Sequence, residues 1–129
     1  MKLRELIATA VLCVAAAPAM AADPAAGEKA FAACKACHRM GEGAKNTVGP
    51  TLNGIVGQPA GGVAGFSYSE AMKNSGLTWD EATLAEYLKN PKAKVPGTKM
   101  AFPGVKDDAK VADIIAYLKQ FAADGTRTQ

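Results

Sequence analysis

A long glycine-rich stretch limits the folds that this chain can adopt. Between Arg39 and Gly65, eight glycines and two prolines fall within 27 residues, and neither a helical nor a strand period is sustained. A segment of this length without regular structure is uncommon inside a compact domain. We therefore expect it to wrap around something large and apolar that the sequence itself does not encode.

The start of the chain has the features of a cleaved secretory signal. A short basic start precedes an apolar run of 12 residues, from 6 to 17, and Pro18 is followed by the small-x-small pattern AMA. The run is shorter than the roughly 20 residues that span a bilayer as a helix, although an uncleaved anchor is the alternative. We predict a signal peptide over residues 1–21 and a single domain over 22–129, located in the periplasm without stable membrane insertion.

The pentapeptide CKACH is the strongest chemical motif in the chain. Since Cys13 belongs to the predicted leader, the mature domain keeps only Cys34, Cys37 and His38 as cysteine or histidine ligands. An ordinary zinc site needs four ligands, and a thioredoxin-like redox pair accompanies strands, which this sequence does not predict. A disulfide between Cys34 and Cys37 is a further alternative in an oxidising compartment.

The remaining interpretation of CKACH uses only the residues that are present. C-x-x-C-H is the attachment signature of c-type haem, in which two cysteines form thioethers with the vinyl groups and the histidine binds iron. Cys34 and Cys37 lie one helical turn apart, so both can reach one edge of the ring while His38 points at the iron. We therefore predict one covalent haem c, which the glycine-rich stretch would surround.

A second axial ligand decides what such an iron can do. No second histidine is present, Met40 is too close to His38 to reach the opposite face, and Met72 is more simply interpreted as a core residue. Met100 lies 62 residues after His38, in the segment VPGTKMAFPG, which proline and glycine stiffen. We predict Met100 as the ligand, because a thioether favours ferrous iron and fills the last open position.

Four helical segments and no strand are predicted, so the fold class is all-α with long ordered loops. The expected segments are 24–34, 69–74, 78–90 and 107–125. Asp23 and Pro24 would begin the first helix, and Thr78 and Glu81 would form a capping box for the third. Apolar residues recur with helical spacing in the last segment, which Gly125 would end.

The chain resembles the class I c-type cytochromes, and among them the small bacterial cytochrome c2 group, which is similar to mitochondrial cytochrome c. The resemblance extends from residue 27 to 121 and rests on CKACH, VGPTLNGIVG, GFSYSEAMKNSGLTW, YLKNPKAKVPGTKMAFPGVK and ADIIAYLK. It implies the small cytochrome c fold, with crossing N- and C-terminal helices and ordered loops around the haem. Gly27 and Phe31 would pack against Tyr117 and Leu118 at that crossing.

The resemblance also implies roles for residues around the two iron ligands. Pro50 would accept a hydrogen bond from the ring N–H of His38, which makes the imidazole a better donor to iron. Tyr87 and Thr98 would line the Met100 side of the haem, although Tyr87 also fits the buried face of its helix as a plain core residue.

Further implied roles concern the haem propionates. Tyr68, Ser69 and Trp79 would donate hydrogen bonds to these carboxylates, which are costly to bury without partners; for Trp79 a simple core role is the alternative. Two positions depart from mitochondrial relatives, because Gln58 replaces an arginine and Met72 replaces an asparagine. Both changes remove polar partners from the propionate side, and Met72 is a weak alternative ligand if Met100 were lost.

The implied function is one-electron transport and not enzymatic catalysis. A cytochrome c2 would carry electrons from a cytochrome bc1-type complex to a photosynthetic reaction centre or a terminal oxidase. The alternative from another class is a haem peroxidase or gas-binding module, which would need an open or labile sixth position and a distal polar group. The absence of a second histidine disfavours that alternative.

Charge defines the expected partners. Removing Lys2, Arg4 and Glu5 from 15 basic and 12 acidic side chains leaves a net charge of +2, which is too low for a nucleic-acid-binding domain. Six lysines fall in segments expected to rim the exposed haem edge: Lys35, Lys45, Lys92, Lys94, Lys99 and Lys106. Together they would steer a monomeric protein onto acidic docking surfaces of redox partners, although each alone is an ordinary solvated charge.

Overall fold

The computed structural model describes residues 10–12 and 21–128, and most of the predicted signal peptide, including Cys13, lies outside the described residues. Within the described part the chain contains helices and no strand, only isolated bridges from Pro59 to Thr78 and from Phe121 to Arg127. The α-helices are α1 (Pro24–Ala30), α2 (Glu70–Lys73), α3 (Glu81–Lys89), α4 (Pro91–Lys94) and α5 (Asp108–Leu118). The all-α prediction is confirmed. None of the described helices has the length and apolar character to cross a membrane.

Polar caps begin the helices, and one predicted cap is wrong. The Asp23 carboxylate accepts a hydrogen bond from the Ala25 N–H at 3.0 Å, as predicted for the start of α1. The predicted capping box at Thr78 does not form, because Thr78 pairs with Pro59 in a bridge. Asp80 instead caps α3, and its carboxylate accepts from the Thr83 N–H at 2.7 Å.

A short helix also forms where the sequence predicts irregular structure. Pro91 occupies the first turn of α4, where its missing N–H leaves no donor unpaired. The side chain of Asn90 accepts from the Ala93 N–H at 3.3 Å and so caps the helix. α4 therefore follows α3 directly and carries the chain towards Met100.

The last helix ends earlier than predicted. α5 stops at Leu118, and the chain then turns back, with the Thr128 N–H donating to the Gln120 carbonyl at 2.8 Å. Gly125 serves this turn instead of ending the helix, since it has φ +86° and a Cβ there would lie 2.3 Å from the carbonyl oxygen of Gly41. In the returning segment Arg127 pairs with Glu28 of α1 at 3.0 Å and lies over the ring of Tyr117.

The crossing of α1 and α5 is the tightest helix contact in the described chain. Gly27 is buried there, and a Cβ added to it would lie 1.9 Å from the carbonyl oxygen of Asp113. One turn further on, the rings of Phe31 and Tyr117 lie with centroids 5.3 Å apart. The predicted crossing is confirmed, but Gly27 is nearest Asp113 and Ile114 instead of Tyr117 and Leu118.

The core lies between this helix pair, α3 and the loops. Buried apolar side chains come from every part of the domain and not from the helices alone: Phe31, Ile55, Met72, Trp79, Leu84, Tyr87, Val95, Val111, Ile114, Ile115, Tyr117, Leu118 and Phe121. The glycine-rich stretch contributes Ile55 to this set and carries several glycines with positive φ. Its backbone is thus built from tight turns, and it places the carbonyl oxygen of Pro50 beside the imidazole of His38.

Candidate haem site

A short 3₁₀ helix, Phe31–Ala33, joins α1 to the CKACH segment, which forms a series of tight turns. The carbonyl oxygen of Cys34 accepts from the backbone N–H groups of both Cys37, at 3.1 Å, and His38, at 2.9 Å. Cys34 and Cys37 are half-buried free thiols, so the disulfide alternative is not found. Burial, and to a lesser extent the nearby Cys37, raises the pKa of the Cys34 thiol. The two sulfurs therefore lie about one helical turn apart, and burial favours the protonated form of the Cys34 thiol.

The imidazole of His38 is oriented by the loop that follows it. Its Nδ1 lies 2.7 Å from the carbonyl oxygen of Pro50, an acceptor that requires Nδ1 to carry the proton. Burial lowers the pKa of His38, with the Pro50 hydrogen bond acting in the opposite direction. The ring is therefore neutral at pH 7, and the unprotonated Nε2 is the atom that can bind a metal.

Gly49 makes room for this ring, and the sequence analysis did not single it out. A Cβ at position 49 would lie 2.5 Å from Cε1 of His38, and the Gly49 N–H donates to the Cys37 carbonyl at 2.8 Å. The only local signal is its place immediately before Pro50, which could not reveal a contact with a side chain 11 residues earlier. Glycine allows the loop backbone to lie flat against the imidazole.

Two side chains that lie within hydrogen-bond distance of each other contact Met100: Tyr87, in the last turn of α3, and Thr98. The hydroxyl of Tyr87 lies 2.9 Å from Oγ1 of Thr98 and 3.7 Å from Sδ of Met100, and the Met100 N–H donates to the same Thr98 oxygen at 3.3 Å. Burial raises the pKa of Tyr87, against a smaller opposite effect of Thr98, so its hydroxyl stays protonated and able to donate. The structure thus brings together Tyr87, Thr98 and Met100.

The three predicted propionate donors keep hydrogens to donate. Tyr68 accepts at its hydroxyl from the Val63 N–H at 3.0 Å, and Ser69 accepts from the Met72 N–H at 3.1 Å as the cap of α2. A hydroxyl that accepts one bond still has its own proton. Trp79 is buried, and among the described residues its indole N–H donates to no side chain or carbonyl. All three residues retain a free O–H or N–H.

The two departures from mitochondrial relatives have different surroundings. Met72 is buried in α2, with 8 % of its surface exposed, and belongs to the apolar core. Gln58 is exposed, and its backbone carbonyl accepts from the Trp79 N–H at 2.8 Å. The contact of Gln58 with Trp79 is therefore a main-chain hydrogen bond that does not involve the Gln58 side chain.

The six predicted docking lysines differ in their contacts. Lys94 forms an ion pair with Glu86, and the ammonium of Lys106 donates to two backbone carbonyls. The other four are exposed and take part in none of the ion pairs found among the described residues: Lys35, Lys45, Lys92 and Lys99. Only these four therefore present ammonium groups that are free to meet a partner.

These donors fit a c-type haem by their chemistry. Two free thiols can form thioethers, a neutral imidazole and a thioether can bind iron, and three O–H or N–H groups can meet carboxylates. An open depression of about 670 Å³ lies between α3 and α5, and none of these donors line it. The fit thus rests on the donor set and its hydrogen bonds and not on the shape of a cavity.

Comparisons with known proteins agree with this chemistry. The chain matches the family model described as Cytochrome c over residues 24–122. It is 57% identical to cytochrome c2 of Blastochloris viridis over 117 residues, which cover 91% of this chain and 92% of that protein. It is 55% identical to cytochrome c-554 of Methylosinus trichosporium, over 95% of this chain and 93% of the relative.

Solved structures give the same result for the fold. Cytochrome cH from Methylobacterium extorquens superposes with a TM-score of 0.71 at 62% identity, covering 75% of this chain and 97% of that one. Cytochrome c2 from Rhodospirillum centenum superposes with a TM-score of 0.74 at 38% identity, covering 78% and 98%. The chain therefore belongs to the cytochrome c family, as a class I c-type cytochrome of the c2 group.

Proposed function

We propose that this protein is a one-electron carrier of the periplasm, and not an enzyme, with a single haem c attached through Cys34 and Cys37. The observation that carries the proposal is the pair of restrained donors. His38 is fixed by Pro50 at 2.7 Å, and Met100 is fixed by Tyr87 and Thr98. A metal whose two axial positions are both filled by protein side chains exchanges electrons and leaves no position for a substrate.

The residues would hold the haem in three ways. Cys34 and Cys37 would bind it covalently, His38 and Met100 would bind the iron, and Tyr68, Ser69 and Trp79 would donate to the propionates. When bound, the haem supplies an iron centre that gains or loses one electron. The protein keeps the imidazole in one tautomer through Pro50, which raises its basicity as a ligand.

The hydroxyl of Tyr87 has a distinct part in this arrangement. It is a protonated donor directed at the sulfur of Met100 and is itself fixed by Thr98. A thioether is a weak acceptor, so the bond adds orientation more than energy. Tyr87 and Thr98 thereby restrict the positions open to the Met100 side chain, which supports a permanently filled sixth position.

Docking would depend on the four exposed lysines defined above. Their charge is local, because the predicted mature domain has a net charge of only +2. Exposed ammonium groups attract an acidic surface over about 10 Å at 0.1 M salt, which accelerates encounter without tight binding. This supports transient complexes of a monomer with a bc1-type complex as donor, and with a reaction centre or terminal oxidase as acceptor.

Export would leave a domain that begins almost directly with structure. Cleavage after residue 21 makes Asp23, the cap of α1, the second residue of the mature chain. The Asp23 N–H also donates to the Asp113 carboxylate at 2.8 Å, so this end is attached to α5. We infer that residues 22–129 form the mature periplasmic protein.

Carbon monoxide binding tests the proposal directly. We expect the reduced, haem-loaded protein to show no change in its visible spectrum with carbon monoxide at neutral pH, because Met100 fills the sixth position. Met100→Ala, as the matched control, should bind the gas readily. If the unmodified protein binds it as readily as Met100→Ala does, the carrier proposal is wrong and the peroxidase or gas-binding alternative takes its place.

A further inference from the structure

The side chain of Lys106 turns back onto its own chain. Its Nζ atom lies 2.6 Å from the carbonyl oxygen of Lys89 and 3.3 Å from that of Pro103. Lys89 is the last residue of α3, whereas Pro103 belongs to the segment that follows Met100. A single ammonium group therefore joins the end of a core helix to the segment that carries the proposed iron ligand.

The end of α3 is a favourable place for this ammonium group. The last carbonyls of a helix lack intrahelical partners and form the negative end of the helix dipole. A lysine can donate to such carbonyls and balance their partial charge. The nearby charges of Lys89 and Asp108 are paired with each other, since Nζ of Lys89 lies 2.7 Å from the Asp108 carboxylate. The Lys106 charge is thus directed at backbone acceptors and not at an acidic side chain.

Two neighbouring residues hold the same segment against α3. The Val105 N–H donates to the Leu88 carbonyl at 2.8 Å. Gly104 has φ +108°, and a Cβ there would lie 2.1 Å from the carbonyl oxygen of Lys89, so only glycine allows so close an approach. We call residues 103–106 the latch, because Gly104, Val105 and Lys106 all contact the last turn of α3.

The latch restrains the Met100 segment on the C-terminal side of Met100, whereas Thr98 restrains it on the N-terminal side. Before Met100 in the chain, Thr98 Oγ1 accepts from the Met100 N–H. After Met100, the latch begins three residues later and contacts the last turn of α3. Opening of the latch would leave Met100 attached from one direction only.

We propose that Lys106 is a positioning residue that keeps the latch closed on α3, and that it is not one of the docking lysines. The consequence for the iron rests on the proposed function, in which Met100 is the sixth ligand. The contact of Lys106 with the helix end stands independently of it. Closure of the latch lowers the frequency with which the Met100 segment moves away from α3.

A comparison of two lysine substitutions tests this role. Lys106→Met removes the ammonium but keeps most of the side-chain length, and Lys92→Met makes the same charge change at an exposed lysine without an ion pair among the described residues. Two quantities are measured on the haem-loaded proteins: hydrogen exchange of the Val105 amide and the rate of carbon monoxide binding after reduction. We expect Lys106→Met to raise both by about threefold to tenfold. Lys92→Met should change neither, and Lys106→Arg, which can still donate to carbonyls, should restore most of the protection.

The outcomes separate the two proposals. If Lys106→Met leaves Val105 exchange unchanged and slows reduction by a redox partner as much as Lys92→Met does, Lys106 is a docking lysine and the inference is overturned. If the unmodified protein itself binds carbon monoxide readily, the proposed function fails. In that case a rise of Val105 exchange in Lys106→Met would still support the latch.

Discussion

Replacing Gly27 by alanine would test the helix crossing on which the domain depends. The added Cβ would lie 1.9 Å from the carbonyl oxygen of Asp113, whereas ordinary contact begins at 3.4 Å. Both groups belong to helix backbones, so no side chain can rotate away. α1 would have to move from α5 by the difference, about 1.5 Å. That movement would also separate the rings of Phe31 and Tyr117, now 5.3 Å apart.

The cost can be worked out from these contacts. Overpacking a well-packed core costs about 1–3 kcal/mol, and loss of an aromatic pair adds about 0.5–1.5 kcal/mol. Alanine is better than glycine within a helix by about 1 kcal/mol, which offsets part of the loss. We expect Gly27→Ala to lower the free energy of unfolding by about 2 kcal/mol, and Tm by roughly 10 °C.

Guanidinium unfolding of the haem-loaded protein, followed by circular dichroism, measures this change. Ala25→Gly at an exposed position in the first turn of α1 is the control, since it adds no contact with α5 and should cost less than the roughly 0.5–1 kcal/mol of a glycine in the middle of a helix. If Gly27→Ala is as stable as the unmodified protein or more stable, the close approach of the two helices does not limit stability and the reasoning fails.

Three further predictions concern surface charge, the Met100 group and the chain ends. Lys99→Glu should slow reduction by the physiological donor at low salt, and a second-order rate that is unchanged across ionic strengths would remove the steering hypothesis. Tyr87→Phe removes the hydroxyl that faces Met100. It should lower the free energy of unfolding by about 1 kcal/mol in a denaturant titration and make carbon monoxide binding faster in flash photolysis. Equal binding rates would show that the hydroxyl does not restrain the sulfur. The hydrogen bond from Arg127 is the main cause that lowers the pKa of Glu28 from its ordinary 4.5. A lowered carboxyl pKa gives stability that is present above the unfolded pKa and is lost as pH falls through the folded pKa. Arg127→Ala removes this contribution, so its Tm should fall less steeply than that of the unmodified protein below about pH 4.5. Identical acid profiles would exclude the contact from the pH response.

The sequence predicted the features that depend on neighbouring residues. Asp23 before Pro24 predicts a helix start because the cap acts within one turn, and the structure has it there. The prediction of Thr78 as the cap of α3 was wrong: Asp80 caps the helix, and either side chain is chemically able to do so. What decides between them is the bridge from Thr78 to Pro59, a residue 19 positions earlier.

Contacts between distant segments were the part that the sequence could not supply. Gly49 is one of eight glycines in its stretch, and only the folded chain shows that it lies against the ring of His38. The prediction that Gly125 ends α5 was wrong, because this glycine packs against Gly41, 84 positions earlier, which the local pattern does not reveal. Lys106 resembled the other lysines by position, and its helix-end contact depends on where α3 ends in space.

The meeting of the two chain ends has a consequence for the order of folding. Arg127 and Glu28 are 99 positions apart, and α1 buries Gly27 against α5, the last helix of the chain. An exported chain that emerges N-terminus first would deliver α1 well before its partner exists on that side of the membrane. CKACH lies three residues after α1, so in an exported chain its two cysteines would stay accessible for haem attachment until α5 is available. The packing of α1 against α5 would then close the domain.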